Sequence, residues 1–152
     1  MGAEPSGQVG PAPSQSTPYT DRVMTNKELL RHVYTEVSRG DAAPLLAALA
    51  DDVRWTIIGS TPLSGTFQGK QEVVDKLLRP LTARLTGPIV FTLDRFIAEG
   101  DHVVMIASAE ATAVTGRPYN NVYCIVCRFA DGKIQEMTDY VDTELITTAL
   151  FD

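Results

Sequence analysis

Asp139 is the residue of this sequence whose type and surroundings best suit acid/base chemistry. Its neighbours along a predicted strand, Met137 and Val141, are apolar, and Ile125 is expected on the adjacent strand. Burial among apolar side chains raises the pKa of a carboxyl group, because the charged form loses its hydration. A carboxyl that titrates near neutral pH can act as a general acid or base. The sequence therefore indicates Asp139 as a catalytic group; the alternative is an aspartate held in a structural hydrogen bond.

Three further polar side chains are expected near this carboxyl group. Tyr123 and Asn121 precede the last turn on the neighbouring strand, where they would donate hydrogen bonds to a developing oxyanion or, alternatively, complete a core network. Glu110 shares a strand face with Ser108. If that face lines a cavity, Glu110 would share a proton with Asp139, whereas at the sheet edge it would only be solvated.

Residues 118–142 should form the β-hairpin that positions these groups. Two runs rich in Val, Ile, Tyr and Phe flank an Ala-Asp-Gly turn at 130–132. A two-residue loop would pair Ala130 with Lys133. A three-residue loop, with the glycine as a left-handed bulge, would pair Phe129 with Lys133.

The three-residue loop is the preferred register, and the functional interpretation depends on it. It places Tyr123 opposite Asp139 and Ile125 opposite Met137. The predicted inner face carries Asn121, Tyr123, Ile125, Cys127 and Phe129 beside Gln135, Met137, Asp139 and Val141. The predicted outer face carries Val122, Cys124, Val126 and Arg128 beside Ile134, Glu136, Thr138 and Tyr140.

Caps and apolar stripes mark the helices that would cover the hairpin. Thr25 and Glu28 form a capping box, and the first helix should end at Gly40. Asp41 can cap a second short helix, and a third helix should be kinked or ended just before Pro80. The stripes comprise Leu30, Val33, Tyr34 and Val37 in the first helix, and Val74, Leu77, Leu78 and Leu81 in the third.

The strands complete an α+β order. Alternating residues predict strands over 53–58, 89–98 and 102–113, followed by the two hairpin strands and a short terminal helix. Trp55 and Ile57 share one face of the first strand. Helices with one inserted strand, followed by an antiparallel meander, predict helices packed on one face of a curled sheet.

Composition restricts the classes of function. Residues 1–23 are rich in Pro, Ser, Gly and Thr and are expected to be a disordered tail, which leaves residues 24–152 as one domain. The formal charge of −6 argues against a nucleic-acid partner, and no apolar run reaches the length of a membrane span. No secretory signal is seen in the sequence, and the two cysteines are expected to be reduced thiols, so a cytoplasmic protein is expected. No plausible metal-ligand cluster is seen either.

Cys124 and Cys127 are spaced like a redox or metal pair. On a strand, however, side chains three residues apart point to opposite faces, so the two sulfurs diverge. Two ordinary sheet thiols are expected.

Three segments together resemble the SnoaL-like branch of the nuclear transport factor 2-like superfamily. They are the DDVRW sequence at 51–55, the F-x-G-K-x-x-V sequence at 67–73, and the closing segment 116–146. The resemblance extends over about residues 25–150. It implies a cone-shaped α+β barrel whose N-terminal helices close over a curved, mostly antiparallel sheet around an apolar cavity. Relatives include polyketide cyclases, ketosteroid isomerase, scytalone dehydratase and limonene epoxide hydrolase, and dimers are common among them.

The resemblance to limonene epoxide hydrolase rests on the Asp-Tyr-Val-Asp sequence at 139–142, and it implies that Asp139 faces the cavity. The other residues of that hydrolase site are absent, because Ile106 and Ser108 stand at two of its positions and Trp55 and Ile57 at two others. Ile57 also replaces the base of ketosteroid isomerase. Among these relatives, the sequence departs least from the polyketide cyclases, whose site needs only one carboxylate that acts as both acid and base.

The sequence thus predicts a cofactor-independent enzyme of the isomerase, cyclase or hydratase/hydrolase type that acts on a small, largely apolar molecule. The alternative is a non-catalytic module that binds a small molecule, or a dimerisation domain, on the same fold. The catalytic residues would be Asp139, Tyr123 and Glu110. The substrate-binding residues would be Tyr34, Trp55, Ile57, Ile106, Ser108, Asn121, Ile125, Met137 and Val141. The apolar outer face of the sheet favours a homodimer.

Overall fold

The computed structural model describes residues 23–152, which form helices packed on one face of a curved, open, six-stranded sheet. This architecture confirms the predicted α+β class. The tail predicted over residues 1–23 lies outside the described range apart from Val23. None of the helices in the described part of the chain has the length and apolar character needed to cross a membrane.

The first two helices form as their sequences predict. Helix α1 (Asn26–Ser38) begins at the Thr25–Glu28 capping box, in which each side chain bonds the backbone N–H of the other residue. Gly40 follows the helix with a φ of 87°, a left-handed conformation that glycine adopts without strain. Helix α2 (Ala43–Ala48) starts after Asp41, whose Oδ1 accepts a hydrogen bond from the N–H of Ala43.

The third helical region differs from the prediction. It runs as α3 (Lys70–Glu72), a π-helical segment (Val73–Leu78) and α4 (Arg79–Ala83). The wider π turns change which side chains face the core, so Val73 and Leu77 are buried and Val74 is not. Pro80 does not end the helix, because it lies in the first turn of α4, where its missing N–H is tolerated.

The sheet has the strand order β2-β1-β6-β5-β4-β3. The strands are β1 (Leu49–Ile57), β2 (Gly65–Gln68), β3 (Val90–Glu99), β4 (His102–Glu110), β5 (Val122–Ala130) and β6 (Lys133–Val141). Strand β1 runs parallel to β6, and all other pairs are antiparallel. The short strand β2 follows β1 and was not among the predicted strands. Helix α5 (Thr143–Leu150) follows β6 and is capped by Asp142.

The preferred register of the hairpin is wrong. The loop has two residues, Asp131 and Gly132, both with positive φ, and Ala130 pairs with Lys133. Positive φ at both central positions is the geometry that matches the twist of a two-residue hairpin. A bulge at Gln135 then shifts the register beyond the turn.

The bulge restores the predicted inner face for most of β6. Ile134 and Met137 are both buried, whereas Gln135 bonds Asp52 outside the core. Ile134 was expected on the outer face and Gln135 on the inner one, so both are corrected. The extra residue inserted by the bulge keeps Asp139 on the inner face although its pairing partner changes.

Candidate functional site

Asp139 lies near the end of β6 with only 6% of its surface exposed. Its Oδ1 accepts a hydrogen bond of 2.9 Å from the indole Nε1–H of Trp55. Trp55 reaches this position because β1 runs parallel to β6, with Ile57 directly beside Asp139. Burial raises the pKa of Asp139 from the ordinary 3.8 to about 7, and the bond from Trp55 opposes this rise only in part. Both protonation states are therefore populated at neutral pH.

The carboxyl group of Asp139 borders a small internal space, which we term the inner cavity. Its volume is about 90 Å³. Its polar lining comes from Tyr34, Trp55, Tyr123 and Asp139, and its apolar lining consists of Val37, Leu45, Leu77, Leu78, Leu81, Ile89 and Phe91. Helices α1, α2 and α4 and the π-helical segment thus supply the wall that faces the sheet.

Phe91 fixes the two phenols of the inner cavity. Its ring lies 4.9 Å from the ring of Tyr34 in an edge-on arrangement and 5.1 Å from the ring of Tyr123. Such aromatic contacts restrict the side-chain rotamers of both tyrosines. Burial also raises the pKa values of Tyr34 and Tyr123 well above the ordinary value of 10.0, so both phenols stay protonated at neutral pH.

Tyr123 is joined to a buried polar network behind the cavity. Its hydroxyl oxygen lies 3.1 Å from that of Tyr119, and the Nδ2 of Asn121 donates to the hydroxyl oxygen of Tyr119 over 3.2 Å. Asn121 is 2% exposed and does not line the inner cavity. The predicted pairing of Tyr123 with Asp139 is absent, because Tyr123 pairs with Val141 and Asp139 with Ile125.

The remaining inner-face residues of the sequence prediction pack around the site. Ile57, Ile125 and Met137 are buried in the core next to Asp139 without lining the inner cavity, and Val141 is half-buried. Their role as direct substrate contacts remains a prediction.

The sequence-based prediction placed three residues of β4 on the wrong face of the sheet. Ile106, Ser108 and Glu110 point to the outer side of the sheet, whereas Met105, Ala107 and Ala109 are buried on the inner side. Tyr123 is paired with Ala107, whose small side chain leaves room for the phenol ring. Glu110 is exposed and lies in a surface depression with Thr86 and Pro118, apart from the inner cavity. It does not form a carboxyl pair with Asp139.

The sequence did not indicate Tyr119 and Phe91 as site residues. Tyr119 follows a predicted turn, and backbone hydrogen bonds from Tyr119 to Ala111 and from Ala113 to Arg117 hold its segment against the chain that leaves β4. Phe91 lies on β3 at the far edge of the sheet, and the strand curvature that brings it between two tyrosines has no signal in the local pattern. Ala107 and Ala109 alternate along β4. Their small size was the feature of the sequence that could have indicated that this face packs against bulky side chains.

A second depression, the outer groove, adjoins the inner cavity. Its volume is about 420 Å³, and it lies between the end of α1, α2, α4 and the segment 85–89. Five apolar residues line both spaces, namely Val37, Leu45, Leu78, Leu81 and Ile89. The inner cavity alone is smaller than ordinary ligand sites of about 300–1,000 Å³, whereas the outer groove by itself lies within that range.

No metal site is found among residues 23–152, since no three His, Cys, Asp or Glu side chains gather there. Cys127 is buried on the inner face and Cys124 is half-buried on the outer one, and both are free thiols. Burial raises the pKa of Cys127, so it remains a protonated core thiol.

Residues 30–137 match the family model of the SnoaL-like domain. Among solved structures, an NTF2-like protein of unknown function from Burkholderia pseudomallei K96243 is 29% identical; the alignment covers 86% of this chain and 100% of that one, with a TM-score of 0.76. TerC, co-crystallised with polyporic acid, is 25% identical over 84% of this chain and 98% of its own, with a TM-score of 0.73. A SnoaL-like polyketide cyclase from Jannaschia sp. CCS1 is 15% identical over 82% and 90%, with a TM-score of 0.69, and this likeness shows the fold alone. No curated protein sequence matches the chain.

Proposed function

Because the chain belongs to the SnoaL-like domain family, we propose that it is a cofactor-independent acid/base enzyme for a small, largely apolar molecule. The observation that carries this proposal is the buried Asp139 carboxyl in an apolar cavity, with a pKa of about 7. A group of this kind accepts a proton from one atom and returns it to another. Isomerisation, cyclisation and hydration all require such a transfer.

The carboxyl group has one oxygen available for chemistry. Trp55 occupies Oδ1, while Oδ2 has no hydrogen-bond partner within residues 23–152. No Lys, Arg or His of the described residues forms an ion pair with Asp139. The Trp55 bond therefore fixes the orientation of the carboxyl without clamping it in the charged form. Oδ2 is the atom that we assign to proton transfer.

The apolar walls define the ligand class. Leu77, Leu78, Leu81 and Ile89 offer no polar group to a ligand, so a compound that enters the inner cavity buries an apolar body against them. TerC, with polyporic acid in its crystals, supports a small organic ligand for a chain of this fold.

A proton-exchange assay tests the proposal. Candidate enolisable ketones are incubated with the protein in D₂O, and loss of the α-proton signal is followed by NMR. We expect exchange above the buffer rate, and a decrease of about 10²-fold or more in Asp139→Asn, the usual contribution of general base catalysis. Asp94→Asn, which changes an exposed carboxyl on β3, is the matched control. Exchange at the wild-type rate in Asp139→Asn would remove this residue from the mechanism.

A second candidate function is binding without chemistry. The observation that favours it is the outer groove, whose volume of about 420 Å³ suits a small ligand and whose lining does not include Asp139. In that case a ligand would raise the melting temperature of the protein, and the ligand itself would be recovered chemically unaltered. A thermal-shift screen followed by mass analysis of the recovered ligand separates the two functions.

A further inference from the structure

The inner cavity and the outer groove meet at five apolar side chains, which we term the neck. One side chain comes from each of α1, α2, the π-helical segment, α4 and the segment 85–89. The neck consists of the residues that line both spaces, Val37, Leu45, Leu78, Leu81 and Ile89. A molecule that passes from the outer groove to Asp139 therefore has to move between these side chains.

The two sides of the neck differ in chemistry. The inner cavity holds the Asp139 carboxyl, whereas the polar side chains that line the outer groove are those of Thr82 and Thr86. Both threonine hydroxyls already donate, Thr82 to the carbonyl oxygen of Leu78 at 2.7 Å and Thr86 to that of Thr112 at 3.2 Å. The side chains of the outer groove thus offer no free hydroxyl proton, and the groove suits the apolar body of a ligand.

The volume of the inner cavity limits what lies beside Asp139. It is about 90 Å³, whereas a protein cavity that accepts benzene measures about 150 Å³. An aromatic ring therefore does not fit next to the carboxyl while the side chains of the neck keep their positions. A short, unbranched aliphatic group is narrower than a ring and needs less of this space.

Two side chains of the neck are held less firmly than the others. Leu45 is 4% exposed and belongs to the buried core, but α4 contains no buried residue and its Leu81 is half-buried. Ile89, just before β3, is half-buried as well. Truncation of Leu81 or Ile89 should therefore widen the neck at a smaller cost in stability than truncation of Leu45.

We propose that Leu81 and Ile89 are specificity-determining residues that keep the neck too narrow for an aromatic ring. The substrate is then an apolar compound whose reacting carbon lies on a short, unbranched chain that reaches Asp139, while any ring of the same molecule stays in the outer groove. The inference rests on the proposed function for the reaction at Asp139, whereas the size limit is independent of that reaction.

The test uses two iodinated probes of different width, iodoethane and iodobenzene. Iodine quenches indole fluorescence on contact, and Trp55 is the only tryptophan of the chain. Trp55 lines the inner cavity and not the outer groove, so its emission reports a probe that has passed the neck. We expect iodoethane to quench wild-type protein and iodobenzene to do so only weakly.

Leu81→Ala should admit the ring. Iodobenzene should quench Trp55 in this variant at a concentration about tenfold lower than in wild-type protein, which is the size of the penalty for forcing extra volume into a packed site. Iodoethane should quench both proteins alike. Leu85→Ala is the matched control, because Leu85 is also half-buried but lines the outer groove alone. This control should behave like wild-type protein.

Ile89→Ala opens the neck from another element and covers the case in which Leu81→Ala does not fold. Equal quenching by iodobenzene in wild-type protein and in these variants would overturn the proposal, because the neck would not select by size. Quenching in Leu85→Ala as strong as in Leu81→Ala would overturn it too, since general loosening would then be the cause. Because the readout is Trp55 emission and not turnover, this failure is distinct from a failure of Asp139 in the exchange assay.

Discussion

The indole N–H of Trp55 donates to Oδ1 of Asp139 over 2.9 Å, and this is the only hydrogen bond to that carboxyl group within residues 23–152. It joins neighbouring parallel strands, since Trp55 lies on β1 and Asp139 on β6. A single neutral donor orients the carboxyl group but compensates little for the hydration lost on burial. The pair therefore combines a fixed geometry with a carboxyl that titrates near neutral pH.

Trp55 should report the ionisation of Asp139 directly. It is the only tryptophan of the chain, so intrinsic indole fluorescence comes from this site alone. We expect its emission to change with a midpoint near pH 7, because the charge on its hydrogen-bond partner changes there. Asp139→Asn should give a flat titration between pH 5 and about 9. A midpoint near 4 in wild-type protein would show that the carboxyl is solvated and not buried.

The contribution of Asp139 to the free energy of unfolding should fall as the pH rises from about 4 to about 7. The folded-state pKa of Asp139 is above its unfolded value, so the folded state holds the proton in this window and loses that advantage as the pH passes the folded pKa. The upper limit of the effect is on the order of 4 kcal/mol. Asp139→Asn, which is never charged, should be more stable than wild-type protein at pH 8 and about equal to it at pH 4.

Urea denaturation at both pH values measures this difference. Asp94→Asn is the control, because it makes the same substitution at an exposed carboxyl on β3, away from the inner cavity. An Asp139→Asn variant that is less stable than wild-type protein at pH 8 would show that the carboxylate is stabilised by partners that the structure does not contain.

The inner faces of β5 and of β6 beyond the bulge were predictable, because the alternation of apolar residues there does not depend on the local register. Tyr123, Ile125 and Met137 all face inward as expected. The pairing was not predictable, because the bulge at Gln135 depends on the parallel pairing of β1 with β6, which brings Asp52 to within a hydrogen bond of Gln135. That contact is between residues far apart in the sequence.

For strand β4, the predicted inward-facing residues were wrong. Ile106 is the larger apolar side chain, and the resemblance to known enzymes placed it in the cavity, but Ala107 and Ala109 occupy the inner face. Small residues are required there because the phenol of Tyr123 lies against Ala107. The resemblance therefore indicated the wrong face of β4, and the small side chains opposite Tyr123 explain why Ala107 and Ala109 face inward instead.

Alanine substitution should affect stability differently at two exposed glycines, because only one of them lies in the two-residue turn of the hairpin. Gly132 has a φ of 73°, whereas Gly87 has no positive φ, and a Cβ atom at either position meets nothing within 4 Å. Gly132→Ala should lower the free energy of unfolding by about 1 kcal/mol through backbone strain. Gly87→Ala should be neutral or stabilising, because it restricts the unfolded chain. Equal effects in thermal denaturation would contradict the assigned turn.

The outer face of the sheet predicts a homodimer. Cross-strand pairing brings Ile97 next to Val104, and Val104 next to Val126, so apolar side chains form a continuous row on this face. Val122 and Tyr140 on the same face are 60% and 48% exposed. An apolar surface of this kind on an otherwise acidic chain is best covered by the same surface of a second copy, related by a two-fold axis.

Val122→Asp tests this face with little effect on folding. The substitution places a carboxylate on each side of the two-fold axis, so like charges and lost apolar contact both oppose association. We expect wild-type protein to sediment as a dimer at micromolar concentration and Val122→Asp as a monomer with an unchanged circular dichroism spectrum. Val114→Asp is the matched control, since Val114 is equally exposed but lies in the connection between β4 and β5. A wild-type monomer, or dissociation by both variants, would place the interface elsewhere or exclude it.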